Sequence, residues 1–464
     1  MMLNYFPKYI TIRSIVLYFT ALIIINVLFL KNILPFQFML FGIVAVVGFF
    51  YFSNTLTKKW RKYSEKVFIK NFFIIALVIR LSYVLFSYWY YIYMTGQPFQ
   101  YHPVDVLMYD EVASDLATRG FAHYEDIMQR WVPSDRGYPT YLGVVYMISG
   151  KSILIVRLIN TVISAFTCLL IYKLAKSNFG ERIGRIAGIL SLLMPHFTYY
   201  CGLHGKETVM IFLTVAFVER ADYLLRSKNY NFFNIIVPIL LAGSLFFFRT
   251  VLGVTALMAF FLAIVLSSEK KVGWGKRILT GICIIAAVGY FSGGRIATEV
   301  ETIWEGRSDN QQIRLESRAK TNVFAQYAGK IVFLPMIFTI PFPTMINIEN
   351  QENQQLMNGS NFVKNITAFF TMLGIFLLFY RKKWKGHILI LSFLIGYLAV
   401  VALSAFAHSE RFHLPSLPFA LIIAAYGLSQ MDNKKKVYFN VYLIIIFVAI
   451  IGWSWFKLAG RGLV

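Results

Sequence analysis

The sequence predicts an all-α polytopic membrane protein, and three observations carry that expectation. The 464-residue chain has a mean hydropathy of +0.62, with 58% hydrophobic and only 14% charged residues, whereas a soluble domain carries about a quarter charged residues. Apolar runs long enough to cross a bilayer, about 17–23 residues, recur along the whole chain. The net charge of +23 falls in short Lys/Arg runs between those spans, the pattern of cytoplasmic loops beside anionic lipid. No nucleic-acid partner is implied; membrane lipid is.

Taken in order, spans are expected near 14–30, 34–53, 71–93, 153–172, 183–200, 207–225, 232–248, 251–267, 278–292, 362–380, 387–406, 415–430 and 438–456. They make up roughly thirteen helices. The first run lacks a small-residue cleavage site and is read as a retained helix. Cys168, Cys201 and Cys283 lie in or beside apolar spans, with no disulfide framework or zinc spacing.

The basic runs orient the chain. Lys58–Lys70, Lys173–Arg185, Lys270–Arg277, Arg381–Lys385 and Lys434–Lys436 should all face the cytoplasm. Were Ile331–Met345 a full crossing, Arg381–Lys385 would face outward. It also carries Pro335, Pro341 and Pro343, which remove helical hydrogen bonds, so it is expected to dip without spanning. Four segments follow. Residues 1–70 hold two N-terminal spans and a basic cytoplasmic loop. Residues 71–292 form a transmembrane module with an acidic outer loop over 94–152. Residues 293–361 are an outer region with the Pro-rich dip, and 362–464 hold the C-terminal helices. Two larger extracytoplasmic regions carrying short helices are therefore expected, and function is expected on that face.

The acid-rich stretch from Gly96 to Gly150 carries Asp105, Asp110, Glu111, Asp115, Glu125, Asp126 and Asp135 in an otherwise basic chain. Carboxylates are the usual general bases. Asp105-x3-Tyr109-x3-Ala113 places three residues on one helical face. Asp105 then heads a short helix that packs through Tyr109 and Ala113, with Asp110, Glu111 and Asp115 on other faces. A solvated loop helix with ordinary surface acids has the same spacing. Arg136-Gly137-Tyr138-Pro139 opens a further helix; Arg136 suits an anion, or the turn is a membrane re-entry anchored by Tyr138 and Tyr141. His204-Gly205-Lys206-Glu207 opens another span, where Glu207 either complements the helix dipole or pairs with Asp105.

His408-Ser409-Glu410-Arg411 feeds a later span, and the planar fork of Arg411 suits phosphate unless Glu410 neutralises it. Arg249 lies in a very short outer connection, and Arg80 lies inside a span, where a charge is a functional candidate by default. Arg314, Arg318 and Lys320 add cations to the second outer region. The carboxylates with His204 or His408 have donor chemistry for a divalent metal, but no ligand spacing demands one and no cofactor is certain. Asn358-Gly359-Ser360 matches a glycosylation sequon, a tripeptide common by chance.

Together these residues resemble the GT-C superfamily of membrane glycosyltransferases, in particular the branch of protein O-mannosyltransferases and the aminoarabinose transferase of lipid A. The resemblance rests on Asp105, Tyr109, Ala113, Gly120, Arg136 through Pro139 and Gly150. It continues through Val156-Arg157-Leu158-x-Asn160, Phe179-Gly180, Pro195, Glu207, Arg249-Thr250 and Arg411-x3-Pro415-x2-Pro418. It runs over about residues 71–250 and again over 387–430. Two extra N-terminal spans depart from the family pattern, and Tyr109-Asp110-Glu111 leaves Asp105 and Asp110 as alternatives for its aspartate.

The resemblance implies a GT-C-like fold and an inverting transfer of a sugar from a polyprenyl-phosphate donor to a glycan, lipid or protein acceptor, on the periplasmic face of a bacterial inner membrane. Catalytic candidates are Asp105, Asp110 and Glu207, with Asp105 as general base. Arg411, Arg249 and Lys206 would hold the departing lipid phosphate, with Arg136, Tyr138, His408, Glu111 and His204 as further substrate contacts. One alternative is an O-antigen-type polymerase or ligase using a polyprenyl-diphosphate oligosaccharide. A lipid-linked oligosaccharide flippase is another, disfavoured because no internal repeat is present.

Overall fold

A computed structural model describes residues 3–131, 136–227, 231–266, 336–404 and 407–463. The expected span at 278–292, the run Lys270–Arg277, the cations Arg314, Arg318 and Lys320, and Asp135 lie outside the described residues. Within them the elements are helical, joined by one isolated β-bridge between Ile33 and Ile346.

The helices are α1 (Lys8–Leu28), α2 (Phe36–Trp60), α3 (Glu65–Thr95), α4 (Val104–Arg119), α5 (Tyr124–Trp131), α6 (Gly137–Ser149), α7 (Ile153–Phe179), α8 (Glu181–Leu193) and α9 (Pro195–Cys201). After them come α10 (Glu207–Arg226), α11 (Phe232–Phe248), α12 (Thr250–Leu266), α13 (Glu352–Leu356), α14 (Asn358–Tyr380), α15 (Ile388–Leu403), α16 (Glu410–His413), α17 (Leu417–Ser429) and α18 (Asn433–Ala459). Among the described residues seven are long and apolar enough to cross a membrane: α1, α2, α3, α7, α14, α15 with its preceding turn, and α18. Their outward sides stay apolar, as at Ile12, Val16, Ile23 and Val27 on α1, which suits a lipid solvent. This is a polytopic all-α membrane protein.

The remaining expected spans differ in an instructive way. The run 183–200 is two helices, α8 and α9, because Pro195 cannot supply the N–H that would continue α8. The run 207–225 is one 20-residue helix, α10, whose second half carries the ion pairs Arg220–Glu219 and Arg226–Asp222. Helices α11, α12 and α17 are apolar but have only 13 to 17 residues.

Two compact units share the chain. One takes residues 1–63, 172–195 and 258–464, the other 64–171 and 196–257. In the first, glycines let helix backbones touch. A Cβ on Gly359 of α14 would lie 2.4 Å from the Gly42 carbonyl oxygen of α2, and one on Gly374 would lie 2.4 Å from the Ile423 carbonyl oxygen of α17. Such small-residue contacts replace the hydrophobic drive that lipid cannot provide. Asn358 is fully buried at this contact. Its Oδ1 accepts from Tyr18 Oη (2.5 Å), and its Nδ2 donates to the carbonyls of Phe38 (2.8 Å) and Gln355 (2.6 Å). Met336–Met345 contains no helix. Lys364 Nζ donates to the Ile340 carbonyl, and Asn365 Nδ2 to those of Thr339 and Pro341, so side chains satisfy the backbone that proline keeps out of a helix.

The second unit holds α3, the segment α4–α6 that follows it, the first part of α7, and α9 through α11. Here Arg80, fully buried, gives Nε to Ser164 Oγ at 2.7 Å and Nη2 to Cys168 Sγ at 2.9 Å. Nη1 donates to the Ala76 carbonyl of its own helix at 3.2 Å, and polar partners of this kind account for a charge inside a span.

Candidate functional site

Helix α4 begins after Pro103, carries Asp105 in its first turn and ends at Gly120, whose φ of 79° suits a residue without a side chain. Its buried face is Val106, Tyr109, Asp110, Val112, Ala113 and Leu116. Tyr109 and Ala113 pack as their spacing predicts. Asp110 does not lie on another face as the spacing suggested: being four residues from Val106 and three from Ala113, it shares their buried side. Glu111 and Asp105 are exposed. Val112 and Leu116 pack on Ile127 and Met128 of α5.

Helix α6 crosses α4 closely, since a Cβ on Gly143 would lie 2.7 Å from Leu116 Cδ2. Its first residue, Gly137, leaves no room for a side chain against the Phe247 carbonyl oxygen, 2.8 Å from an added Cβ. The Arg136–Tyr138 turn therefore lies against the end of α11, two residues before Arg249. Arg249 is half-buried, with extended backbone (φ −170°) and its N–H on the Leu245 carbonyl. Arg136 itself is occupied, pairing with Glu125 at 3.0 Å.

Asp110 is a buried carboxylate held by several donors. It accepts from Tyr146 Oη, pairs with Lys151 Nζ at 3.0 Å, and has His204 Nε2 at 3.5 Å. Burial raises its pKa, but the donors on His204, Tyr146 and Lys151 outweigh burial and bring it down to about 2. Tyr146 gives its one proton to Asp110, so its oxygen, 3.2 Å from His204 Nε2, can only accept there. His204 consequently carries its hydrogen on Nε2. Its Nδ1 is buried with no partner, and burial lowers its pKa against the pull of Asp110.

Beside this network the 204–207 turn presents Lys206, whose Nζ donates to Tyr109 Oη at 3.1 Å and lies 5.3 Å from the ring centre. Glu207 is buried at the start of α10, and Gly205 has no side chain because a Cβ there would lie 2.4 Å from Glu207 Oε2. Tyr138 packs edge-on to Tyr109 (5.7 Å) and near His204 (6.3 Å). Its hydroxyl is buried without a partner, and burial, Tyr141 and Glu207 push its pKa up.

Sequence reasoning missed Tyr146 and Lys151 as partners of Asp110. Lys151 left one signal, a cation directly after Gly150 in an acidic loop. Arg157 stood in the motif list without a role; it is fully buried, donates Nη2 to the Pro98 carbonyl, and lies 5.7 Å from the centre of the Tyr88 ring. It ties down the loop that leads into α4.

His408 and Arg411 belong to the other unit. Arg411 is exposed, its guanidinium 5.2 Å from the centre of the Phe412 ring. Glu410 is buried, and burial raises its pKa against the opposing pull of Lys457, Lys364 and Arg411. Among the described residues no ion pair of 4.0 Å or less joins Glu410 to Arg411, although Arg411 pulls on the Glu410 carboxyl. No group of three His, Cys, Asp or Glu that could hold a metal occurs among the described residues.

No family model matches this chain, and no curated protein matches it. Among solved structures it is similar to the archaeal oligosaccharyltransferase AglB from Archaeoglobus fulgidus, determined in complex with an inhibitory peptide and a dolichol-phosphate. The identity is 13% and the TM-score 0.45, over 87% of this chain and 56% of that one. The chain thus spans little more than half the length of that protein.

Proposed function

We propose that this chain is a GT-C-type membrane glycosyltransferase, moving a sugar from a polyprenyl-phosphate donor to an acceptor hydroxyl on the periplasmic face of a bacterial inner membrane. One observation carries the reading: α4 presents Asp105 exposed in its first turn and Asp110 buried under three donors. A carboxylate with a pKa near 2 and engaged oxygens is a poor proton acceptor. Asp105 is therefore assigned as general base, and Asp110 as the anchor that fixes α4 on α6.

In the reaction, Asp105 takes the proton of the acceptor hydroxyl as its oxygen attacks the anomeric carbon opposite the donor phosphate. The C–O bond to phosphate breaks, its electron pair leaves with the lipid phosphate, and the configuration inverts. Phosphate needs no proton to depart, so one base is enough. Lys206 and Arg249 are assigned to the developing phosphate charge, where fixed cations in a poorly hydrated site stabilise the transition state most. Glu207 sets the turn that carries Lys206, and Tyr138, His204, Glu111 and Arg136 are assigned around the sugar and acceptor.

The test is transfer by the full chain in liposomes, fed polyprenyl-monophosphate sugar or polyprenyl-diphosphate oligosaccharide. Asp105→Asn should lower turnover by about 10²–10⁴ with thermal stability unchanged, and Asp110→Asn should chiefly lower thermal stability. Wild-type turnover in Asp105→Asn would remove the base assignment. Turnover on the diphosphate donor alone would transfer the chain to the polymerase or ligase class.

A further inference from the structure

A cavity of about 410 Å³ opens in the first unit, lined by Asn4, Thr57, Arg61, Lys62, Glu181, Arg182, Arg185, Ile186 and Ile189. It lies at the ends of α2 and α8, within the basic runs that the positive-inside rule assigns to the cytoplasmic side. Four cations face one carboxylate, a net of +3. That carboxylate is already saturated: Glu181 accepts from Tyr172 Oη (2.9 and 3.0 Å), Lys176 Nζ (3.1 Å) and Arg185 Nε (2.6 Å). Arg185 is fixed as well, its Nη1 donating to the carbonyls of Trp60 and Tyr63 at 2.8 Å each. Arg61, Lys62 and Arg182 are exposed and have no carboxylate partner among the described residues. Asn4 adds an Oδ1 that is buried and accepts no hydrogen bond. The wall changes character inward, where Ile186 and Ile189 follow one face of α8.

We propose that this cavity is a binding site for an anionic phosphodiester, the headgroup of a glycerophospholipid of the cytoplasmic leaflet. Arg61, Lys62 and Arg182 take the phosphate, where guanidinium forks match its oxygens. Asn4 accepts from a headgroup hydroxyl, and Ile186 and Ile189 meet the start of an acyl chain. A free phosphate ester shares the charge chemistry but leaves the isoleucine wall unused, which favours the lipid.

The experiment uses the full-length protein in mixed phosphatidylcholine and phosphatidylglycerol nanodiscs, with retained lipid read by native mass spectrometry. The wild type should retain phosphatidylglycerol in preference to phosphatidylcholine. The double variant Arg61→Gln/Arg182→Gln should bind it about thirtyfold more weakly. A matched variant in another basic run, Lys434→Gln/Lys436→Gln, should behave as the wild type. Equal loss in both variants, or no lipid preference in the wild type, would overturn the site. sn-Glycerol 3-phosphate displacing the lipid at equal concentration would overturn the lipid as its ligand and leave a soluble phosphate ester. Neither Arg61 nor Arg182 belongs to the transfer machinery, so failure here is distinguishable from failure of the glycosyltransferase reading.

Discussion

Asp105 and Asp110 stand five residues apart on one helix, and a network of Tyr146, Lys151 and His204 surrounds Asp110. Two pH effects follow from that network. His204 has a lowered pKa when folded, so below about pH 6.5, the ordinary histidine value, the unfolded chain takes up a proton that the folded chain refuses. Stability is then lost as pH falls. Asp110 has a folded pKa of about 2 against 3.8, so its contribution is complete above about pH 4 and disappears as pH falls toward 2. Thermal melting in detergent should show a shallow decline beginning near pH 6.5 and a steeper one below pH 4. Asp110→Asn should weaken the steeper part. A melting temperature flat from pH 7 to pH 3 would contradict both assignments.

At the scale of elements, glycine contacts decide which helices can meet. Gly359→Ala would drive a methyl into the Gly42 backbone of α2, and overpacking of that kind costs about 1–3 kcal/mol. Gly48→Ala, on the same helix as Gly42 but with nothing within 4 Å of the added carbon, should be neutral or slightly stabilising through helix propensity. Parallel melts of the two variants check this pair. The long helices were legible in the sequence because a continuous apolar run has one solution in lipid. The break at Pro195 was a local signal that hydropathy averaging smooths away. The burial of Asp110 was missed because spacing was counted from Asp105 alone, while the packed face of α4 is wide enough to include positions 106, 109, 110, 113 and 116. That Tyr146 and Lys151 reach Asp110 depends on how α6 crosses α4, a non-local fact that no spacing within either helix contains.

Across the whole molecule, the expected orientation places the α4–α6 segment outside and the lysine runs inside. Single cysteines at Glu111 and Lys62, both exposed, test it in a background where Cys168, Cys201 and Cys283 are replaced by serine. A membrane-impermeant maleimide added to spheroplasts should label Glu111→Cys and spare Lys62→Cys until the membrane is opened. The reverse pattern would invert the chain and remove the periplasmic reaction. The division into two units, each drawn from separated stretches of sequence, was not legible, because nothing in composition changes where the chain leaves one and enters the other.

The polar knot at Asn358 has a practical outcome for production in eukaryotic cells. Its tripeptide would be offered to the host's oligosaccharide machinery if that loop were translocated, but both amide hydrogens are committed to α2 and α13 and the oxygen to α1. A molecule that folds first will emerge bare at this asparagine. One that is decorated first will be unable to seat α14 against α2 and will be retained by quality control, so Asn358→Gln is not a harmless deglycosylation device for this protein.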